Sequence, residues 1–125
     1  MIDVLGIIST ELTALGVPYE FMRWTSEAVD TYFVGEYTEI PTFTEDGYKE
    51  GTILLTGTTV GGWLELEQLK EKIKNHFPNG FGKRFTTEDG VVVIYYSHSF
   101  PVDTGEAELK RIQINLDVQM WKGAK

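Results

Sequence analysis

The chain has 125 residues, 42% of them hydrophobic and 24% charged, and a net charge of −8 from 19 acidic and 11 basic side chains. That length fits a single domain over residues 1–125 with one core that needs no staples. The absence of cysteine excludes a disulfide framework, a thiolate metal site and a cysteine nucleophile, and the negative charge disfavours sequence-independent binding of phosphate backbones.

The start, Met1-Ile2-Asp3, has no basic segment ahead of an apolar run, so no signal peptide is expected. No apolar stretch approaches the ~20 residues a bilayer span requires, so no membrane partner is expected. A chain without cysteines fits synthesis in a reducing cytoplasm.

Leu5, Ile8, Leu12 and Leu15 recur at three- and four-residue spacing, which predicts a helix over about residues 2–15. Asp3 suits its positive end, Gly16 stops it and Pro18 lies just beyond. Strands are predicted over Tyr19–Trp24 and Thr31–Glu39, the second rich in aromatic and β-branched residues and ended by Pro41. Asp46-Gly47 marks a turn, and Gly51–Thr59 reads as a third strand loosened at its end by Gly57, Gly61 and Gly62.

Leu66, Leu69, Ile73 and Phe77 then form a clear helical stripe. Glu65 and Glu67 near its start and Lys72, Lys74 and His76 near its end complement the helix dipole, and Pro78 and Gly80 stop it. Phe81–Thr86 and Val91–Tyr96 flank the turn Glu88-Asp89-Gly90, and the unbroken apolar run predicts a central strand buried on both faces. Ile112, Ile114, Leu116, Val118 and Met120 alternate with polar residues, so one face of the last strand should meet the core. The expected fold is α+β: an antiparallel or mixed twisted sheet of about four to six strands with two helices packed on one face.

No residue set specifies catalysis or holds a metal or cofactor. Ser97 and His98 are neighbours on a strand and should point to opposite faces. Glu45-Asp46 and Glu88-Asp89 sit in turns, where a carboxyl is solvated and lacks the burial that tunes a general acid; Glu106 and Glu108 form a third acidic pair. Asp46-Gly47 resembles part of a calcium loop but lacks its alternating acidic ligands. Gly57–Gly62 lacks the Lys-Ser/Thr of a phosphate loop and reads as a flexible strand-to-helix connection. Lys83, Arg84 and Phe85 make only a small basic-aromatic patch in an acidic chain. An aromatic content of 13% is rich, and large aromatics favour subunit contacts.

The succession Tyr32-Phe33-Val34-Gly35-Glu36-Tyr37, Glu45-Asp46-Gly47, Ile53-Leu54-Leu55-Thr56-Gly57-Thr58, the helix from Leu64 to Ile73, Ser99–Glu106 and Leu109–Leu116 resembles small tail proteins of long-tailed phages and prophages of Gram-positive bacteria. These include tail completion and tail terminator proteins, and the resemblance spans Tyr32 to Trp121. It implies a non-enzymatic virion structural protein without cofactors, made in the host cytoplasm and built into the tail or neck. It also implies a homo-oligomeric ring, commonly hexameric, that caps the tail tube, joins it to the head connector and lets DNA pass without sequence-specific contact. Tyr37, Trp63 and Phe100, in or beside loops, are the expected subunit contacts. The alternatives are another head-tail adaptor or neck protein, and a small-ligand-binding domain with Tyr95, Tyr96 and His98 lining a pocket.

Overall fold

A computed structural model describes residues 2–40 and 47–123. Helix α1, Ile2–Ala14, buries Val4, Ile8 and Leu12, one residue per turn, so its core stripe is centred on Val4 rather than on Leu5. It ends in a two-bond cap: Val17 N–H donates to the Leu12 carbonyl at 3.0 Å, and Gly16 N–H to that of Thr13 at 3.0 Å. Gly16 has φ +79, a conformation that favours glycine, and Leu12 and Val17 both join the core across the cap.

Strand β1 is only Tyr19–Phe21. The longer strand expected up to Trp24 is cut at Met22, whose φ of 69 turns the chain out of the sheet. Strands β2, Thr31–Ile40, and β3, Tyr48–Thr59, follow. The expected stop at Pro41 lies outside the described residues. Helix α2 is Trp63–His76, and β4, Lys83–Thr86, β5, Gly90–Val102, and β6, Lys110–Lys122, complete the chain.

The six strands form one curled sheet in the order β1-β2-β3-β6-β5-β4. β1 pairs with β2 in parallel and every other pair is antiparallel, so the sheet is mixed. The innermost strands are β3 and β6, not β5. β5 is flanked by strands on both sides only where Val91–Ile94 face Thr86–Lys83; beyond them no strand pairs with its outer edge among the described residues, and Tyr96 bonds there to Phe77 and Asn79. An apolar run thus signalled burial but not position in the sheet.

Register fixes the faces. Phe33 lies opposite Gly57, Leu55 opposite Ile114, Ile53 opposite Leu116, and Val92 opposite Met120. These residues, with Ile112, Val118 and Ile94, form one core with Val4, Ile8 and Leu12 of α1 and Leu66, Ile73 and Phe77 of the second helical segment. Both helices therefore cover the same sheet face, and each fully buried aliphatic or phenyl group contributes about 1.5–3 kcal/mol by leaving water. The alternation expected for β6 is fully realised: Ile112 to Met120 are buried at every second position.

Gly57 belongs to this packing and not to a flexible connection. A Cβ there would lie 2.4 Å from the Phe33 ring, so the missing side chain is the space the ring occupies. The strand-to-helix connection is reduced to Val60, Gly61 and Gly62.

Candidate functional site

Helix α2 organises the helix-covered side. It begins on Gly62 with no side-chain cap, and its first two residues stay at the surface: Trp63 is 41% exposed and Leu64 71%. Below them a groove of about 930 Å³ opens between α2, the end of α1 and the start of β2. Val29, Leu64 and Leu69 supply apolar wall, with Asp30, Glu65, Glu67 and Glu71 around it and Lys72 as the one cation. Glu67 is bridged to Lys70 at 2.5 Å, and that carboxylate raises the lysine pKa.

The other end of α2 is anchored. The Phe77 carbonyl accepts the Tyr96 N–H at 2.8 Å, and Asn79 Nδ2 donates to the Tyr96 carbonyl at 2.8 Å. Between the helices, Glu11 Oε1 lies 2.8 Å from His76 Nε2 and 3.1 Å from Lys83 Nζ. The hydrogen bond with His76 and then Lys83 lower the Glu11 pKa against the opposing effect of burial. One carboxylate thus joins α1, α2 and β4. Lys83 Nζ is also 3.1 Å from His76 Nε2, so that nitrogen either donates to Glu11 or accepts from Lys83, not both. All three side chains are at least one-fifth exposed, and their contacts brace the three elements together.

Pro78 to Gly82 forms a turn beyond α2. Gly82 N–H donates to the Pro78 carbonyl at 3.0 Å, and Gly80 and Gly82 have φ of +101 and +68. Between them Phe81 projects outward at 81% exposure, the most exposed large hydrophobic residue described. Sequence reading placed Phe81 at the start of a strand; the strand begins at Lys83. The Gly-Phe-Gly spacing was the available signal, because two glycines in that conformation turn the backbone away from any ladder.

On β5 the expectation for Ser97 and His98 fails. The pairing shifts between Tyr96 and His98, so Ser97 is the extra residue of a bulge, and its Oγ lies 3.0 Å from His98 Nδ1. Sequence alternation could not reveal this, because a bulge is the local suspension of alternation. His98 is exposed and stacks on Phe100, with centroids 6.2 Å apart. Tyr96 OH and Ser99 Oγ form a separate 2.6 Å hydrogen bond. No carboxylate orients the histidine in the described geometry, so the contact has the form of a dyad without the third group that would activate it. Tyr96 packs on the core while Tyr95 and His98 pair opposite Asp117 and Asn115 on the other face, so the three do not line one pocket.

The sheet face without helices has its own small aromatic cover. Trp121 and Tyr48 rings meet at 5.2 Å, and Trp121 lines a cleft with Val91, Val93 and Arg84. Tyr48 donates to Glu50 at 2.7 Å, and burial, reinforced by Glu50, pushes its phenol up to about 12. Tyr95 is shifted upward too, by burial and then by Asp117 and Glu50. At the β1 end, Glu20 accepts from the Thr25 hydroxyl at 2.6 Å and from the Thr25 and Ser26 amides at 3.1 Å each. Interactions with Ser26 and Thr25 hold its carboxyl down at about 2 and fold the β1–β2 connection over Trp24 and Tyr32, whose rings stand 5.3 Å apart.

The three expected contact residues lie in different settings. Tyr37 is half-buried, its ring lying over Gly51, where a Cβ would come within 2.7 Å of the hydroxyl; burial lifts its pKa to about 12. Trp63 stands at the mouth of α2, and Phe100, 42% exposed, lies on the helix-free face. The basic-aromatic patch divides: Lys83 turns to Glu11, while Arg84 lies on the opposite face beside Trp121. Glu88, Asp89, Glu106 and Glu108 are exposed, and Glu45-Asp46 lies outside the described residues. Among the described residues no group of three or more potential ligands is placed to hold a metal ion, and no helix is long and apolar enough to cross a membrane. Neither a protein-family model nor a curated protein sequence matches the chain.

Proposed function

We propose that the chain is a non-enzymatic structural subunit of a phage or prophage tail, a tail terminator or tail completion protein that forms a ring on the tail tube and joins it to the head connector. The observation that carries this reading is the distribution of exposed apolar groups. Leu64 and Trp63 lie at one end of α2, Phe81 beyond the other, and Phe100 on the helix-free sheet face. A subunit contacted from several sides presents apolar anchors at separate places, whereas a ligand-binding domain gathers them in one cavity. The resemblance of the sequence from Tyr32 to Trp121 to small phage tail proteins supports the same reading. The net charge of −8 suits a ring through which DNA slides without sticking. Tyr37, Trp63 and Phe100 are proposed contact residues, with Trp63 and Phe100 the more accessible pair. The protein is then made in the host cytoplasm and resides in the virion.

Light scattering on the purified chain, with and without the tail tube protein of the same phage, tests the proposal. The expected result is a ring, either alone or once tube is added. A monomer indifferent to the tube shifts the assignment to another head-tail adaptor or to the ligand-binding class.

A further inference from the structure

We propose that the ring contact is a head-to-tail insertion of Phe81 from one copy into the groove at the start of α2 in the next. The inference deepens the ring reading above and rests on it. Phe81 is displayed by an ordered turn, because the Gly82-to-Pro78 hydrogen bond fixes the loop and Gly82 sits against the Ile94 carbonyl, where a Cβ would come within 2.8 Å. A side chain held outward in this way loses little conformational freedom on docking. The receiving groove, about 930 Å³, has the apolar walls Val29, Leu64 and Leu69 that a phenyl ring requires.

Charge gives the direction. Asp30, Glu65 and Glu71 outnumber Lys72 around the groove, with Glu67 already bridged to Lys70. Lys83 and Arg84 follow the knob in the chain within roughly 10 Å, with Lys83 partly engaged by Glu11 and Arg84 exposed on the helix-free face beside Trp121. Helix α2 is thus acidic at its groove end and basic toward its knob end. In an overall acidic protein this local complementarity favours contact between unlike ends over contact between like ends. The groove runs along α2 from Leu64 to Lys72, and its Leu64 end lies roughly 18 Å along the helix from His76, beyond which Phe81 stands, so one chain cannot place its own Phe81 beside Leu64. Contact between different patches is heterologous, and repetition closes into a ring when the rotation allows.

The cysteine-free sequence permits a clean test. Gln68→Cys, on the groove wall, and Asn79→Cys, beside the knob, are introduced together so that Phe81 and Leu64 stay in place, and the protein is oxidised mildly at low concentration. The helical rise from Gln68 to His76 alone separates the two sites in one chain by roughly 12 Å, beyond the about 4–7 Å a disulfide needs, so any bond joins two molecules. The expected result is a covalent ladder ending at the ring number, in large excess over a control pair, Asn79→Cys with Glu106→Cys. Both replaced side chains are exposed, so folding, checked by circular dichroism, should be retained. Phe81→Ala alone should weaken self-association about tenfold or more. A ladder no stronger than the control, from a protein that light scattering shows to be a ring, overturns the contact and leaves the ring reading intact. A control-level ladder from a protein monomeric with and without tube overturns both.

Discussion

Gly57 and Glu11 show how much single residues decide. Gly57→Ala would place a methyl 2.4 Å from the Phe33 ring, which is fully buried and has no free direction to move. Overpacking of this kind costs about 1–3 kcal/mol, so the urea midpoint should fall clearly, with little change in slope. An unchanged midpoint would mean that the ring relocates without cost. Glu11 carries a pH signature. Its folded pKa lies below the ordinary value of 4.5, so the stability it contributes is present above pH 4.5 and is lost as pH falls through the folded value. Glu11→Gln should cost about 1 kcal/mol at pH 7 and remove that part of the acid dependence, so wild type and variant converge as pH falls below the folded value. Parallel stability curves across that range would exclude the bracing role. Neither Gly57 nor Glu11 was legible as important in sequence: the first looked like loop punctuation, and the second joins His76, 65 positions away.

At the scale of elements, the helix ends and the β5 bulge are the informative features. Gly16→Ala meets no atom within 4 Å, so its penalty comes only from the backbone at φ +79. The expected loss is about 1–2 kcal/mol, with Gly16→Asn closer to wild type; equal stability of the Ala variant would mean the two-bond cap is dispensable. On β5, deleting Ser97 leaves Tyr96 opposite Leu116 and lets His98 follow at once opposite Asn115. Both halves keep their faces, so the variant should fold with a retained circular dichroism spectrum. Deleting Val93 instead flips one half of the strand relative to the other and should abolish folding. Tolerance of both deletions would show that β5 register is loosely held. The period-two and three-to-four spacings that revealed β6 and α2 are properties of one backbone stretch and could be read directly. The bulge has no such period, and the Ser97–His98 contact it creates was therefore hidden.

For the whole molecule, one sheet and one core join both helices, so unfolding should be a single cooperative event. Trp24 lies in the β1–β2 connection, Trp63 opens α2 and Trp121 ends β6, so tryptophan fluorescence samples three separate regions. Its urea transition should coincide with that of far-ultraviolet circular dichroism, and an earlier fluorescence transition would mark a separately unfolding part. The sequence by itself determined the α+β class, the existence of both helices, the core stripe of α2 and the buried face of β6. Each follows from residue type and spacing within a short segment, where backbone geometry alone sets which side chains share a face. Only the tertiary structure decided that β3 and β6 are innermost, that β1 runs parallel to β2, and that Phe33 fills the space above Gly57. It also placed an acidic apolar groove along α2 from Leu64 to Lys72 and an exposed Phe81 beyond the end of that helix. Those features arise from contacts between distant segments, and their energies depend on which surfaces meet, a choice that local periodicity does not encode.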